Sequence, residues 1–103
     1  MPSLRSKVAS KIDLIWVKEH QDLIAACDSE LIGKTFEEGN KVLEIKESFY
    51  KGYQCSPSDL KKIVDKYPQS ILVGKRTIKA VFGKIPEKVY KVNTIPYCIV
   101  VKF

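Results

Sequence analysis

The sequence predicts a single α+β domain, in which a mixed sheet of about five or six strands packs with two or three short helices. Three observations predict it. The apolar, β-branched runs are short and separated by polar turns, two segments carry helix start or stop signals, and 103 residues suffice for one hydrophobic core. Residues 1–11 are expected to be a flexible basic arm and residues 12–103 the domain.

The first elements are expected to be two strands that form a hairpin. Residues 12–17 and 23–27 are apolar runs separated by a polar turn, which is the pattern of a β-hairpin. Asp28 is placed to cap a short helix that Gly33 would end. Residues 41–46 then alternate as a half-buried strand does.

An aromatic loop at residues 49–53 and a well-marked helix come next. Ser56 is expected to be the N-cap of this helix and Pro57 its first residue, and Pro68 should stop it. Residues 71–73 predict a short strand, and residues 77–82 predict a helix that ends at Gly83. Residues 89–92 and 97–103 complete the list of strands.

The charge is distributed unevenly along the chain. The formal net charge is +6, yet residues 61–103 hold ten basic and only two acidic side chains, while residues 21–60 are net acidic. A strongly basic half would attract an anionic polymer. The longest apolar runs are far shorter than the roughly 20 residues that span a bilayer, and no signal peptide precedes the domain, which together predict a cytoplasmic protein without a membrane partner.

Several motifs suggest chemistry that their surroundings contradict. Gly33, Lys34 and Thr35 match the tail of a phosphate-binding loop, but the position of the first required glycine is held by Asp28, whose carboxylate would repel phosphate. His20 has no partner ligand in the sequence and is expected to be an exposed turn residue. The sequence therefore predicts no metal, no cofactor and no catalytic residues.

The three cysteines, Cys27, Cys55 and Cys98, are too few and too widely spaced for a disulfide framework or a zinc site. They are interpreted as reduced, largely buried thiols. Cys27 precedes a predicted helix start, where a helix dipole can lower the pKa of a thiol, but Asp28 and Glu30 oppose that effect.

A run of cations in the second half of the chain is the remaining candidate site. Only one of its cations is arginine, which suits diffuse phosphate contacts better than the reading of base edges. Tyr67, Phe82 and Tyr90 lie between the lysines, and of these Phe82 is expected in the core. The predicted RNA-binding residues are Arg5, Lys7, Lys61, Lys62, Lys66, Lys75, Arg76, Lys79, Lys84, Lys88 and Lys91.

Four segments in order carry a resemblance to a known family: LIAACDSELIGKTFEEG at residues 23–39, VLEI at 42–45, FYKG at 49–52 and ILVG at 71–74. Together they resemble an archaeal family catalogued as a domain of unknown function, number 424. The resemblance implies an archaeal source, a compact α/β domain and a role near translation. Members carry a Val-Pro-His-Ala-Gln-like motif where this chain has IPYCI at residues 95–99, so a role for that histidine does not carry over.

Charge, size and resemblance lead to one main hypothesis and two alternatives. The main hypothesis is a non-catalytic protein of the ribosome or of structured RNA, with ribosomal RNA and ribosomal proteins as partners and phosphate contacts as its main binding mode. The first alternative is a protein-interaction adaptor in translation or RNA metabolism, and the second is a thiol-dependent enzyme at Cys27. The adaptor would use an acidic face formed by Glu30, Glu37, Glu38 and Glu47.

Overall fold

The computed structural model of the protein describes residues 14–102, and it opens with the predicted hairpin. Strand β1 (Ile15–Glu19) pairs antiparallel with β2 (Leu23–Asp28), which confirms that prediction. The first described strand begins at Ile15. The basic arm predicted for residues 1–11, with its two candidate RNA contacts, lies outside the described residues.

Six strands form one mixed sheet, as predicted. The sheet has the order β5-β1-β2-β6-β8-β7, in which β2 and β6 are parallel and every other neighbouring pair is antiparallel. The two parallel strands therefore end side by side at the same edge of the sheet. The remaining strands are β5 (Tyr53–Cys55), β6 (Gln69–Val73), β7 (Tyr90–Val92) and β8 (Ile95–Val101).

Two helices cover one face of this sheet. Helix α2 (Pro57–Val64) begins as predicted, because the Ser56 hydroxyl accepts a hydrogen bond from the Asp59 N–H at 3.2 Å. Helix α3 (Lys75–Phe82) starts two residues earlier than predicted and ends at Gly83, which is left-handed at φ 83°. The apolar sides of both helices pack on this face in one core that includes Leu60, Val64, Leu72 and Ile78.

The opposite face is covered by a second hairpin and by helix α1 (Glu47–Tyr50). The hairpin consists of β3 (Thr35–Glu38) and β4 (Lys41–Glu44), which form a separate two-stranded sheet. Strand β3 was not predicted, because only Phe36 among its four residues is even half-buried. The prediction of an aromatic loop at residues 49–53 is wrong. Phe49 and Tyr50 are the last residues of α1, where Tyr50 is buried, and Tyr53 begins β5.

None of the helices between residues 14 and 102 is long and apolar enough to cross a membrane.

Candidate functional site

A cleft lies at the edge of the sheet where the parallel strands β2 and β6 end. This edge, at the carboxyl ends of parallel strands, is where open sheets with parallel strands commonly bind ligands. The cleft has a volume of about 480 Å³, and α3 starts at it directly after β6. Its lining comprises Asp28, Glu30, Leu31, Gly74, Lys75, Arg76, Lys79, Thr94, Ile95 and Pro96.

Asp28 organises this cleft, in a way that differs from the prediction. It precedes a single 3-10 turn (Ser29–Leu31), but its side chain makes no capping bond there. Its carboxylate instead caps α3: Oδ1 accepts from the Thr77 N–H and hydroxyl, each at 2.8 Å, and Oδ2 accepts from the Arg76 N–H at 3.2 Å. Asp28 is only 5% exposed, so the positive end of α3 is already neutralised by the protein itself.

Gly74 makes this cap possible. Its φ of 103° and ψ of 152° lie in a region that is essentially restricted to glycine. A Cβ added there would overlap the Asp28 carboxylate. The close approach of strand end and helix start therefore requires a glycine at this position.

Glu30 and Arg76 form the outer wall of the cleft. Arg76 Nη1 donates to Glu30 Oε1 at 2.8 Å and Nη2 donates to Oε2 at 3.1 Å, the paired geometry that favours arginine over lysine. The hydrogen bond from Arg76 is the main cause that lowers the pKa of Glu30 below its ordinary 4.5. Arg76, predicted as a phosphate contact, thus has its guanidinium engaged by a carboxylate of the same chain.

The turn between β7 and β8 borders the same cleft. Asn93 and Thr94 both have positive φ, 50° and 69°, as the central residues of a two-residue hairpin turn require. A β-branched residue is uncommon in this conformation. The Asn93 N–H donates to Glu38 Oε1 at 2.8 Å, so strand β3 holds the turn in place.

The predicted cations of the helices lie on the outer side of the helical layer. Lys75 and Lys79, four residues apart on α3, are exposed on one side of the helix, next to the cleft. Neither makes an ion pair with any residue between 14 and 102. Lys61 and Lys62 are exposed on α2, the helix that packs beside α3.

The remaining predicted cations lie at the ends of these helices and at the sheet edge. Lys66 and Lys84 are exposed just after α2 and α3, and Lys91 is exposed on the edge strand β7. Lys88 lines a second groove together with Phe82 and Tyr90. The prediction that Phe82 belongs to the core is wrong, since 44% of the residue is exposed.

The predicted acidic face is largely engaged within the protein. Glu30 binds Arg76, Glu38 accepts from the Asn93 N–H, and Glu47 lies 3.9 Å from the Lys51 ammonium. These contacts reduce the negative charge that the face would offer to a basic partner.

Cys27 has the environment of a structural thiol. It is fully buried, and loss of solvent, reinforced by the charges of Asp28 and Glu30, raises its pKa from 9.0 to about 12. A nucleophilic thiol needs the opposite shift. The structure therefore gives no support to catalysis at Cys27.

The other motifs are explained by local structure. His20 is half-buried rather than exposed as predicted, because its ring stacks on Phe49 with centroids 4.4 Å apart. Thr35, the last residue of the phosphate-loop fragment, begins strand β3, whereas a phosphate loop leads into a helix. Across the described range 14–102 no three His, Cys, Asp or Glu side chains are grouped to hold a metal ion.

Comparisons with known proteins agree with the fold. The crystal structure of an uncharacterized conserved protein from Methanopyrus kandleri is similar, with a TM-score of 0.65 and 17% sequence identity, over 87% of this chain and 94% of that chain. This likeness concerns the fold alone. No curated protein matches the chain. The model of the family described as "Protein of unknown function (DUF424)" matches residues 17–103, which confirms the resemblance found in the sequence, and the chain belongs to that family.

Proposed function

We propose that this protein is a non-catalytic binder of structured RNA, such as ribosomal RNA, and that it acts mainly through phosphate contacts. The observation that carries the proposal is the pair Lys75 and Lys79. Both ammonium groups are exposed on one side of α3, and neither has an acidic partner among residues 14–102. Lysines that no carboxylate neutralises keep their full attraction for phosphate.

The distribution of charge on the two layers supports the same function. The exposed lysines of α2 and α3 project from the helical layer, whereas Glu37, Glu38 and Glu44 belong to the hairpin on the opposite face of the sheet. A protein with one basic side approaches a polyanion in a preferred orientation. Release of counterions from the RNA then supplies affinity without sequence reading.

The proposed contacts are the exposed lysines, while Arg76 has a different role. Because its guanidinium binds Glu30, Arg76 would position the start of α3 rather than contact phosphate first. Partners would be ribosomal RNA and its proteins in the cytoplasm, where the three free cysteines stay reduced. The proposed phosphate contacts are Lys61, Lys62, Lys66, Lys75, Lys79, Lys84, Lys88 and Lys91, with Arg5 and Lys7 as auxiliaries.

The test is charge reversal of the two central lysines. The variant K75E/K79E should bind a structured ribosomal RNA fragment at least about tenfold more weakly at 0.1 M salt, because two phosphate contacts become repulsive. The slope of log affinity against log salt should also fall by about 1.5 to 2 units, which fluorescence anisotropy over a salt series measures directly.

The matched control is K41E/K46E, which makes the same change in net charge with two exposed lysines from the hairpin side of the sheet. If affinity falls equally in both variants, binding follows total charge and the helical surface has no special role. If K75E/K79E keeps the affinity and salt slope of the wild type, the proposed contacts are wrong. Circular dichroism confirms that each variant is folded before binding is compared.

A further inference from the structure

Strand β8 has one edge that is only partly covered. Its first residues pair with β7, at Ile95, Pro96 and Tyr97, whereas its other edge pairs with β6 as far as Val101. The chain that leads into β7 would continue the ladder if it ran straight back from Tyr90. It turns away at residues 87–88 instead, so the edge from Cys98 onward has no neighbouring strand within residues 14–102.

The register shows which backbone groups this edge presents. The Gly74 N–H donates to the Pro96 carbonyl at 2.8 Å and the Lys102 N–H donates to the Pro68 carbonyl at 2.9 Å, both towards the β6 side. Bonded and non-bonded pairs alternate along an antiparallel ladder, so Cys98 and Val100 also bond towards β6. The N–H and C=O groups of Ile99 and Val101 therefore point out of the free edge.

A groove of about 460 Å³ runs along this edge. Its walls are mainly apolar, and several of them are unusually open to solvent: Tyr90 is 68% and Ile99 61% exposed. An exposed apolar surface beside unpaired backbone groups is the arrangement by which an extended peptide adds to a sheet. The lining is Phe82, Pro86, Lys88, Val89, Tyr90, Cys98, Ile99, Val100 and Val101.

Charge identifies the kind of strand that would fit. Lys88 is the one charged residue that lines the groove among residues 14–102, and the exposed side chains around it are net basic, with Lys84 and Lys91 against Glu87. We propose that the free edge of β8 binds an extended segment of a partner protein in which apolar and acidic residues alternate. Its backbone would pair with Ile99 and Val101, its apolar side chains would cover the groove, and its carboxylates would face the lysines.

A second copy of this chain fits the groove less well. Two copies joined edge to edge would bring Lys88 of each close to the lysines of the other, and like charges across an interface cost free energy. RNA phosphates would contact the lysines, but RNA has no extended peptide backbone that could pair with the outward N–H and C=O groups of this edge. The edge site shares Lys84, Lys88 and Lys91 with the proposed phosphate contacts, but it does not use the central pair Lys75 and Lys79, so variants of that pair test the two proposals separately.

The experiment uses an eight-residue peptide of alternating valine and glutamate and the full-length protein. Hydrogen–deuterium exchange should show the Ile99 and Val101 amides exchanging fast in the free protein. They should become about tenfold slower when the peptide is present at ten times its Kd. The Cys98 and Val100 amides should already be slow without peptide, because they bond towards β6.

Two control peptides separate pairing from simple charge attraction. A peptide of alternating valine and lysine, and a valine–glutamate peptide with N-methyl groups on the amides of one edge, should each bind at least about tenfold more weakly. Equal binding of either control would overturn the proposal. The proposal would also be overturned if sedimentation shows that the free protein self-associates and the Ile99 and Val101 amides exchange slowly in that self-associated form.

Charge variants complete the test. K88E should lower the affinity for the valine–glutamate peptide by about fivefold, as expected for reversal of one exposed charge, whereas K62E on α2 should leave that affinity unchanged. K75E/K79E should bind the peptide as the wild type does, whatever its RNA affinity, so failure of the RNA proposal and failure of this one are distinguishable. If an RNA oligonucleotide, and not the peptide, protects Ile99 and Val101, the edge is not a peptide site.

Discussion

Replacement of Asp28 by alanine should be among the most destabilising single changes in the cleft. Loss of an N-cap costs about 1 kcal/mol. The substitution also leaves the N–H and the hydroxyl of Thr77 without their acceptor, and Thr77 is fully buried. Each stranded polar group costs about 1 to 3 kcal/mol, so we expect D28A to lower the free energy of unfolding by about 4 kcal/mol.

The asparagine variant separates the carboxylate charge from its shape. D28N keeps one oxygen that can accept from Thr77, but its amide nitrogen is a donor and cannot accept from the Arg76 N–H. We therefore expect D28N to lower the free energy of unfolding by about 2 kcal/mol. Urea unfolding followed by the fluorescence of Trp16 measures both variants. With a slope of about 1.3 kcal/mol/M for a domain of this size, the midpoint should fall by about 3 M in D28A and about 1.5 M in D28N.

Gly74 supplies the internal control for this reasoning. G74A in the wild type introduces both a positive φ and an overlap with the Asp28 carboxylate, but in the D28A background only the backbone strain remains. The cost of G74A should therefore be about 1 to 2 kcal/mol smaller in that background. A D28A variant that loses less than about 1 kcal/mol, or strictly additive effects of D28A and G74A, would refute the assignment of Asp28 as the cap of α3.

Two further predictions follow from pKa values. At pH 8 Cys27 should react with a thiol reagent at least about tenfold more slowly than a thiol of pKa 9.0, because its pKa of about 12 leaves little thiolate and the higher nucleophilicity of that thiolate offsets only part of the loss. Peptide mapping by mass spectrometry identifies the modified cysteine, and fast labelling of Cys27 in the native protein would reopen catalysis there. Since Arg76 lowers the pKa of Glu30, this pair stabilises the fold above pH 4.5 and less so as the pH falls through the lowered pKa. The stability advantage of the wild type over E30Q should be under about 1 kcal/mol at pH 7 and should shrink towards pH 3 in thermal unfolding, and an advantage that stays constant would contradict this.

The sequence alone determined the elements whose signals are local. The first hairpin, the cap of α2 at Ser56 and the end of α3 at Gly83 each depend on residues within a few positions of one another, and all three were predicted correctly. The α+β class and the family also followed from the sequence. Strand β3 was missed because its stability comes from its pairing with β4 and its packing on the sheet, not from its own residues.

Only the tertiary structure decided how the cleft and the free edge are built. Asp28 caps α3, and the residues that it binds there lie 48 and 49 positions further along the chain. The local pattern around Asp28 predicted instead that it caps the short helix that directly follows it. Arg76 likewise binds Glu30 across 46 residues, a pairing that the sequence did not predict. The open edge of β8 exists because the chain turns away at residues 87–88. Such contacts depend on which strands become neighbours, and that order is set by the packing of the whole domain rather than by any short stretch of sequence.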